Sequence, residues 1–83
     1  MEARNVAHLR LFGPARAEAG TAEAEIPGRS VGAVLDEAGC RFGVGFTQIV
    51  GTSRIWVNGV GAGRDHPVGD RDEVAVIPPV SGG

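Results

Sequence analysis

Apolar residues alternate with polar ones in several stretches of this chain and recur at helical spacing in one other. Val6-Ala7-His8-Leu9-Arg10-Leu11-Phe12 shows mixed alternation, which predicts a strand closed by Gly13-Pro14. Ala15 to Ala19 fits one helical turn, ended by Gly20. Thr21-Ala22-Glu23-Ala24-Glu25-Ile26 alternates small or apolar with acidic residues and predicts an edge-like strand before a Pro27-Gly28 turn. These two strands can pair as an antiparallel hairpin with a long loop. Val31, Val34, Leu35, Ala38 and Phe42 then fall on one stripe of a helix over 31–42, with Ser30 as N-cap and Gly43 at its end. Gly39 inside that helix costs roughly 1 kcal/mol relative to alanine and weakens the last turn. Asp36, Glu37, Cys40 and Arg41 lie off the stripe.

Gly45 to Gly51 has no decisive period and reads as a loop or a short helical turn under which Phe46, Ile49 and Val50 pack. Arg54-Ile55-Trp56-Val57 predicts a strand, and Asn58-Gly59 is a strong hairpin-turn signal. A short strand or loop follows, then a polar turn from Asp65 to Asp70 around Val68. Glu73-Val74-Ala75-Val76-Ile77 is the last strand. The order of strand, strand, helix, strand, short strand, strand predicts an α+β roll, a small mixed sheet with one main helix packed across it. Its first and last strands are expected at the centre.

Eighty-three residues are read as a single domain, 1–83, with residues 78–83 as a flexible tail. No apolar run approaches the ~20 residues that span a bilayer, so no membrane partner is expected. The N-terminus carries no signal-like apolar block, and the single Cys40 suits a reducing compartment; the expected location is cytoplasmic. A net charge of −2 with interspersed signs gives no footprint for nucleic acid. All the basic residues are arginine, so no lysine amine exists on which an isopeptide chain could be built.

No internal catalytic centre emerges. Gly59-Val60-Gly61-Ala62-Gly63 lacks the following helix N-terminus that a phosphate loop requires, because Pro67 opposes a helix through His66. His8, His66 and Cys40 are too widely spaced for a metal site, and neither a metal nor a bound cofactor is expected. Cys40 has no evident base partner. Asp65-His66 reads as a local turn hydrogen bond.

The remaining chemistry lies in Pro78-Pro79-Val80-Ser81-Gly82-Gly83. Two prolines favour an extended, stiff base, and two glycines leave a thread that can enter a channel closed to any Cβ. Six extended residues reach about 20 Å. The Gly83 carboxylate is therefore the expected functional group, against the alternative of a frayed end in a glycine-rich chain. A carboxylate is a poor electrophile, but conversion to an acyl adenylate by another enzyme activates it. A sulfur nucleophile can then convert it to a thiocarboxylate.

Val57-Asn58-Gly59, Asp65-His66-Pro67-Val68, Asp72-Glu73-Val74-Ala75 and the Pro-Pro-Val-Ser-Gly-Gly ending resemble the ubiquitin-like sulfur carriers, with the MoaD-like small subunits of molybdopterin synthase nearest. Leu11-Phe12, Ala15-Arg16 and Ala19-Gly20 fit the same pattern. The resemblance is most specific over residues 57–83. It implies a β-grasp (ubiquitin-like) fold and a carrier that is not an enzyme on its own. An E1-like adenylyltransferase or sulfurtransferase would consume ATP to adenylate Gly83 and install the thiocarboxylate (1-thioglycine). The tail, Pro78 to Gly82, would then insert into the large subunit of molybdopterin synthase, in a heterotetramer, to give sulfur to precursor Z in molybdenum cofactor biosynthesis. The resemblance also implies an apolar docking surface that includes Phe12 and Ile77, with Val80 seating the tail; ordinary strand packing is the other reading of Phe12 and Ile77. Gly61 stands where relatives often carry a larger apolar residue, and Ile77 replaces a common aromatic. Alternatives are a thiocarboxylate carrier for thiamine, cysteine or another sulfur metabolite, a covalent protein modifier, and a non-covalent binding module.

Overall fold

The computed structural model describes residues 5–79. Five strands form one mixed sheet: β1 (Val6–Leu11), β2 (Glu23–Pro27), β3 (Arg54–Val57), β4 (Val60–Gly61) and β5 (Glu73–Ile77). Their order is β2-β1-β5-β3-β4, so the first and last strands lie centrally, as the sequence predicts. β1 and β5 run parallel, and the other pairs are antiparallel. Three helices accompany the sheet: α1 (Gly13–Ala19), α2 (Val31–Phe42) and α3 (Val44–Gly51). The result is the β-grasp roll.

Alternation decides which face of each strand is buried. Ala7, Leu9 and Leu11 of β1 and Val74 and Val76 of β5 point inward and are at most 2% exposed. α2 covers them with Val31, Val34, Leu35 and Ala38, the predicted stripe. Ile26, Ala15, Phe46, Val57 and Val68 complete a single buried cluster. Burial of a large aliphatic side chain contributes about 1.5–3 kcal/mol, so this cluster supplies most of the favourable free energy.

The N-terminus of α2 is capped from two directions. Ser30 Oγ accepts a hydrogen bond from the Ala33 N–H at 3.1 Å, while the Val31 and Gly32 N–H groups donate to the carbonyls of His66 and Arg64. The loop around Val68 is thereby tied to the helix that it crosses. Gly43 ends the helix with its N–H on the Gly39 carbonyl.

Several boundaries differ from the sequence-based expectation. The first strand ends at Leu11, and Phe12 becomes the N-cap of α1, which spans seven residues instead of one turn. Pro14 starts that helix because its missing N–H would have no intrahelical partner there. The second strand covers 23–27 instead of 21–26, with Pro27 paired opposite Val6. The ambiguous segment 45–51 is helix α3. Its formation also accounts for Gly39, where a Cβ would stand 2.6 Å from Thr47 Oγ1 on α3. The missing side chain lets the two helices approach.

Candidate functional site

β5 delivers the chain to the candidate site. Because β1 runs parallel to it, with Leu11 opposite Val76, both strands end at the same end of the sheet. Phe12 keeps an extended backbone, φ −130° and ψ 152°, so it continues the outward row of His8 and Arg10. Ile77 continues the outward row of Glu73 and Ala75. Phe12 is 43% exposed and Ile77 is 38% exposed, so neither is a core residue. The structure brings these two predicted docking residues together.

A third large residue joins them. Trp56 of β3 is paired opposite Ala75 and is 36% exposed on the same outer face. Phe12, Trp56 and Ile77, with Ala75, Gly59 and Glu73, line a shallow depression of about 380 Å³. Sequence reading missed Trp56. The signal was nonetheless present, because an inward Val57 on a strand forces Trp56 outward. Gly61, noted in the sequence for its small size, pairs directly opposite Trp56.

The rest of the outer face is charged. His8 Nε2 lies 3.0 Å from Glu23 Oε1, and Arg10 Nη1 lies 3.1 Å from Glu73 Oε2. Such exposed pairs contribute ~0–1 kcal/mol each, so their main effect is on surface character. The sheet face thus divides into a charged region toward β2 and an apolar region beside the end of β5.

Pro78 is buried, and a Cβ on Gly13 would meet its Cγ at 4.0 Å. Gly13 adopts φ +55°, a conformation open to glycine, as the chain turns from β1 into α1. Pro79 is exposed. The start of the tail is therefore held against the α1 turn, immediately beside the apolar depression. Val80, Ser81, Gly82 and Gly83 lie outside the described residues.

The hairpin turn that borders the depression joins two of the sequence motifs. Asn58 and Gly59 have φ of +51° and +85°, as a two-residue hairpin loop of this type requires. The Asn58 Nδ2 donates to Asp72 Oδ1 at 3.2 Å, and its Oδ1 accepts from the Glu73 N–H at 2.9 Å. Asp72 also accepts from the Gly69 N–H at 2.8 Å. Donation from Gly69, then from Asn58, holds the Asp72 carboxyl below its ordinary value, with His66 adding a smaller attraction. The Asn58-Gly59 and Asp72-Glu73 motifs are consequently one hydrogen-bonded unit that fixes the start of β5.

Other sequence candidates do not join the site. Cys40 is exposed on α2, in the layer on the opposite side of the sheet from the depression. His66 Nδ1 lies 2.8 Å from the Pro67 carbonyl, a local turn contact that does not involve Asp65. The glycines from Gly59 to Gly63 span the turn and β4, and a further turn follows at Arg64-Asp65 in place of a helix. Among the described residues there is no cluster of potential metal ligands, and no helix is long and apolar enough to cross a membrane.

Similar folds occur among solved structures. Small archaeal modifier protein 1 from Methanosarcina acetivorans superposes with a TM-score of 0.86 and 25% identity, covering 99% of this chain and 100% of that one. A Pyrococcus furiosus protein assigned as subunit 1 of a molybdopterin converting factor gives 0.80 and 29% identity, covering 92% and 99%. A chain of the Helicobacter pylori complex of subunits 1 and 2 of that factor gives 0.64 and 23% identity, covering 94% and 99%. No curated protein sequence matches the chain. The ThiS family model matches residues 9–83, from the middle of β1 through Gly83. With its β-grasp sheet order and its outward apolar patch beside the end of β5, this chain belongs to the ThiS family, of the ubiquitin-like MoaD/ThiS type.

Proposed function

We propose that the chain carries sulfur on Gly83 as the small subunit of a molybdopterin synthase. The Gly83 carboxylate attacks ATP in an adenylating partner and releases pyrophosphate. A sulfur nucleophile then displaces AMP from the acyl carbon and leaves a thiocarboxylate. The large subunit receives the tail and supplies the acid–base groups and the pterin pocket, where the sulfur passes to precursor Z. No catalytic group is required of this chain apart from its own terminus.

The carrying observation is the position of the apolar depression. Phe12, Trp56 and Ile77 adjoin the point where Pro78 is held and Pro79 emerges. A partner that takes in the tail must close over this surface, and apolar burial there, at about 25 cal/mol per Å², supplies binding free energy. The match of the family model through Gly83 and the 29% identity to the Pyrococcus furiosus protein support the same reading. So does the Helicobacter pylori complex, in which a chain of this fold belongs to an assembly of subunits 1 and 2.

Reconstitution tests the destination of the sulfur. The thiocarboxylated chain, mixed with the large subunit and precursor Z, is expected to yield molybdopterin and return the carboxylate form. A carrier that transfers no sulfur to precursor Z, yet loses it to a thiazole or amino-acid precursor, would place the chain in another pathway. The likeness to a small archaeal modifier favours a second reading, in which a substrate lysine accepts the activated glycine. That reading predicts amide-linked conjugates with other proteins. It also predicts single additions only, since this chain offers no lysine for extension.

A further inference from the structure

We infer that Pro78 stays seated on the domain while the terminus is used, so that it is a positioning residue and the arm a partner takes in begins at Pro79. The inference rests on the carrier reading above and holds for whichever partner receives the tail. It divides the Pro-Pro-Val-Ser-Gly-Gly ending, which the sequence presents as one arm, between the first proline and the second. β5 ends at Ile77, the last residue paired with β3, where it lies opposite Arg54. Pro78 has no N–H to donate to that ladder, so its ring is what attaches it to the domain. Pro78 is buried, whereas Pro79, one residue on, is exposed.

The turn from β1 into α1 builds the seat. β1 runs parallel to β5 with Leu11 opposite Val76, so the residues that follow the two strands lie beside each other. Gly13 in that turn, at φ +55°, carries no side chain, and a Cβ there would touch Pro78 Cγ at 4.0 Å. The helix that starts at Gly13 also packs against β5. Proline fixes its own φ and biases Ile77 toward extended backbone, so the direction of β5 runs into the seat without a free hinge. Fixing the origin limits what a partner must order. The five residues from Pro79 to Gly83 reach at most about 18 Å. Releasing Pro78 adds one more residue to be ordered, equivalent to a factor of about 5–30.

Two matched truncations test this, with adenylation followed as exchange of pyrophosphate into ATP by the full chain and the purified E1-like enzyme. Pro78→Ala and Pro79→Ala remove the same ring and the same φ constraint, but only the first empties the seat. Pro78→Ala is expected to lower kcat/KM about 5- to 30-fold, and Pro79→Ala by a smaller factor. Pro78→Val is expected to recover most of the loss, because it refills the seat with an apolar side chain. If the two prolines served only as a stiff rod, valine would not restore the rate, since it brings back a free φ. Rates are compared well below the unfolding transition of every variant, so that a loss of folded chain contributes nothing. In the free parent chain, carbon-13 relaxation should show Pro78 as ordered as β5 and Pro79 less so. Equal order at the two prolines overturns the inference without reference to any partner. So does a loss in Pro79→Ala that matches that in Pro78→Ala, or failure of valine to restore the rate in a variant that folds normally. A parent chain that supports no exchange while Pro78 is ordered contradicts the carrier reading and not the seat.

Discussion

At the scale of residues, the turn between Val68 and Glu73 joins a left-handed Arg71 to the perturbed Asp72 carboxylate. Arg71 adopts φ +71°, a left-handed conformation that costs a residue with a Cβ about 1–2 kcal/mol. It is exposed, and its N–H donates to the Val6 carbonyl, so the position demands a conformation and not a side chain. Arg71→Gly is expected to raise stability by ~0.5–1 kcal/mol, after allowance for the greater freedom of glycine in the unfolded chain, as a higher midpoint in urea unfolding. Asp72 carries a pH dependence of definite sign. Its carboxyl titrates below its ordinary value in the folded chain, so the folded state favours the anion. That stabilisation is fully present above the unfolded value of about 3.8 and is lost as pH falls through the lower folded value. Asp72→Asn should therefore flatten the acid limb of stability against pH, in thermal melts between about pH 2 and 5; an unchanged limb would show that Asp72 is not its source.

Elements were legible in the sequence to the extent that their signals were local. Helix α2 was fully readable because its stripe, its Ser30 cap and its Gly43 stop lie within one stretch. The two central strands were readable because their burial alternates in step with their sequence. Helix α3 was not, since its glycines suggest a loop and its helicity depends on packing Phe46 into the core and against Phe42, with ring centroids 5.2 Å apart. The apolar face was only half readable. Phe12 and Ile77 could be assigned by resemblance, but the placement of Trp56 beside them required the β3–β5 register. The bridge from Asn58 to Asp72 was likewise hidden in two separate motifs. Two substitutions test how α2 is held. Ser30→Ala should cost ~1 kcal/mol through loss of the hydrogen bond to Ala33. Gly28→Ala should cost more, on the order of 1–3 kcal/mol, because its Cβ would stand 2.8 Å from the Val34 backbone nitrogen, which cannot move without displacing the helix. Equal midpoints for Gly28→Ala and the parent in chemical unfolding would contradict this close approach.

For the whole molecule, the fold acts as a rigid mount. The core fixes β5 between β1 and β3, the Asn58–Asp72 unit fixes its start, and burial of Pro78 fixes its end. Under the proposed function, the chemistry belongs to the terminal Gly82-Gly83, which a partner protein takes in. On the proposed function, Gly82→Ala should slow sulfur loading while leaving the unfolding midpoint unchanged, because a tail that enters a narrow channel is burdened there by an added methyl group. The central claim is that Gly83 itself carries the sulfur. Intact-mass spectrometry of the chain, after incubation with its adenylating enzyme, ATP and a sulfur source, tests it most directly. The account predicts a mass gain equal to one sulfur replacing one oxygen, confined to the C-terminal residue and dependent on ATP. An unchanged mass under those conditions, or the same gain in a chain lacking Gly83, would contradict it.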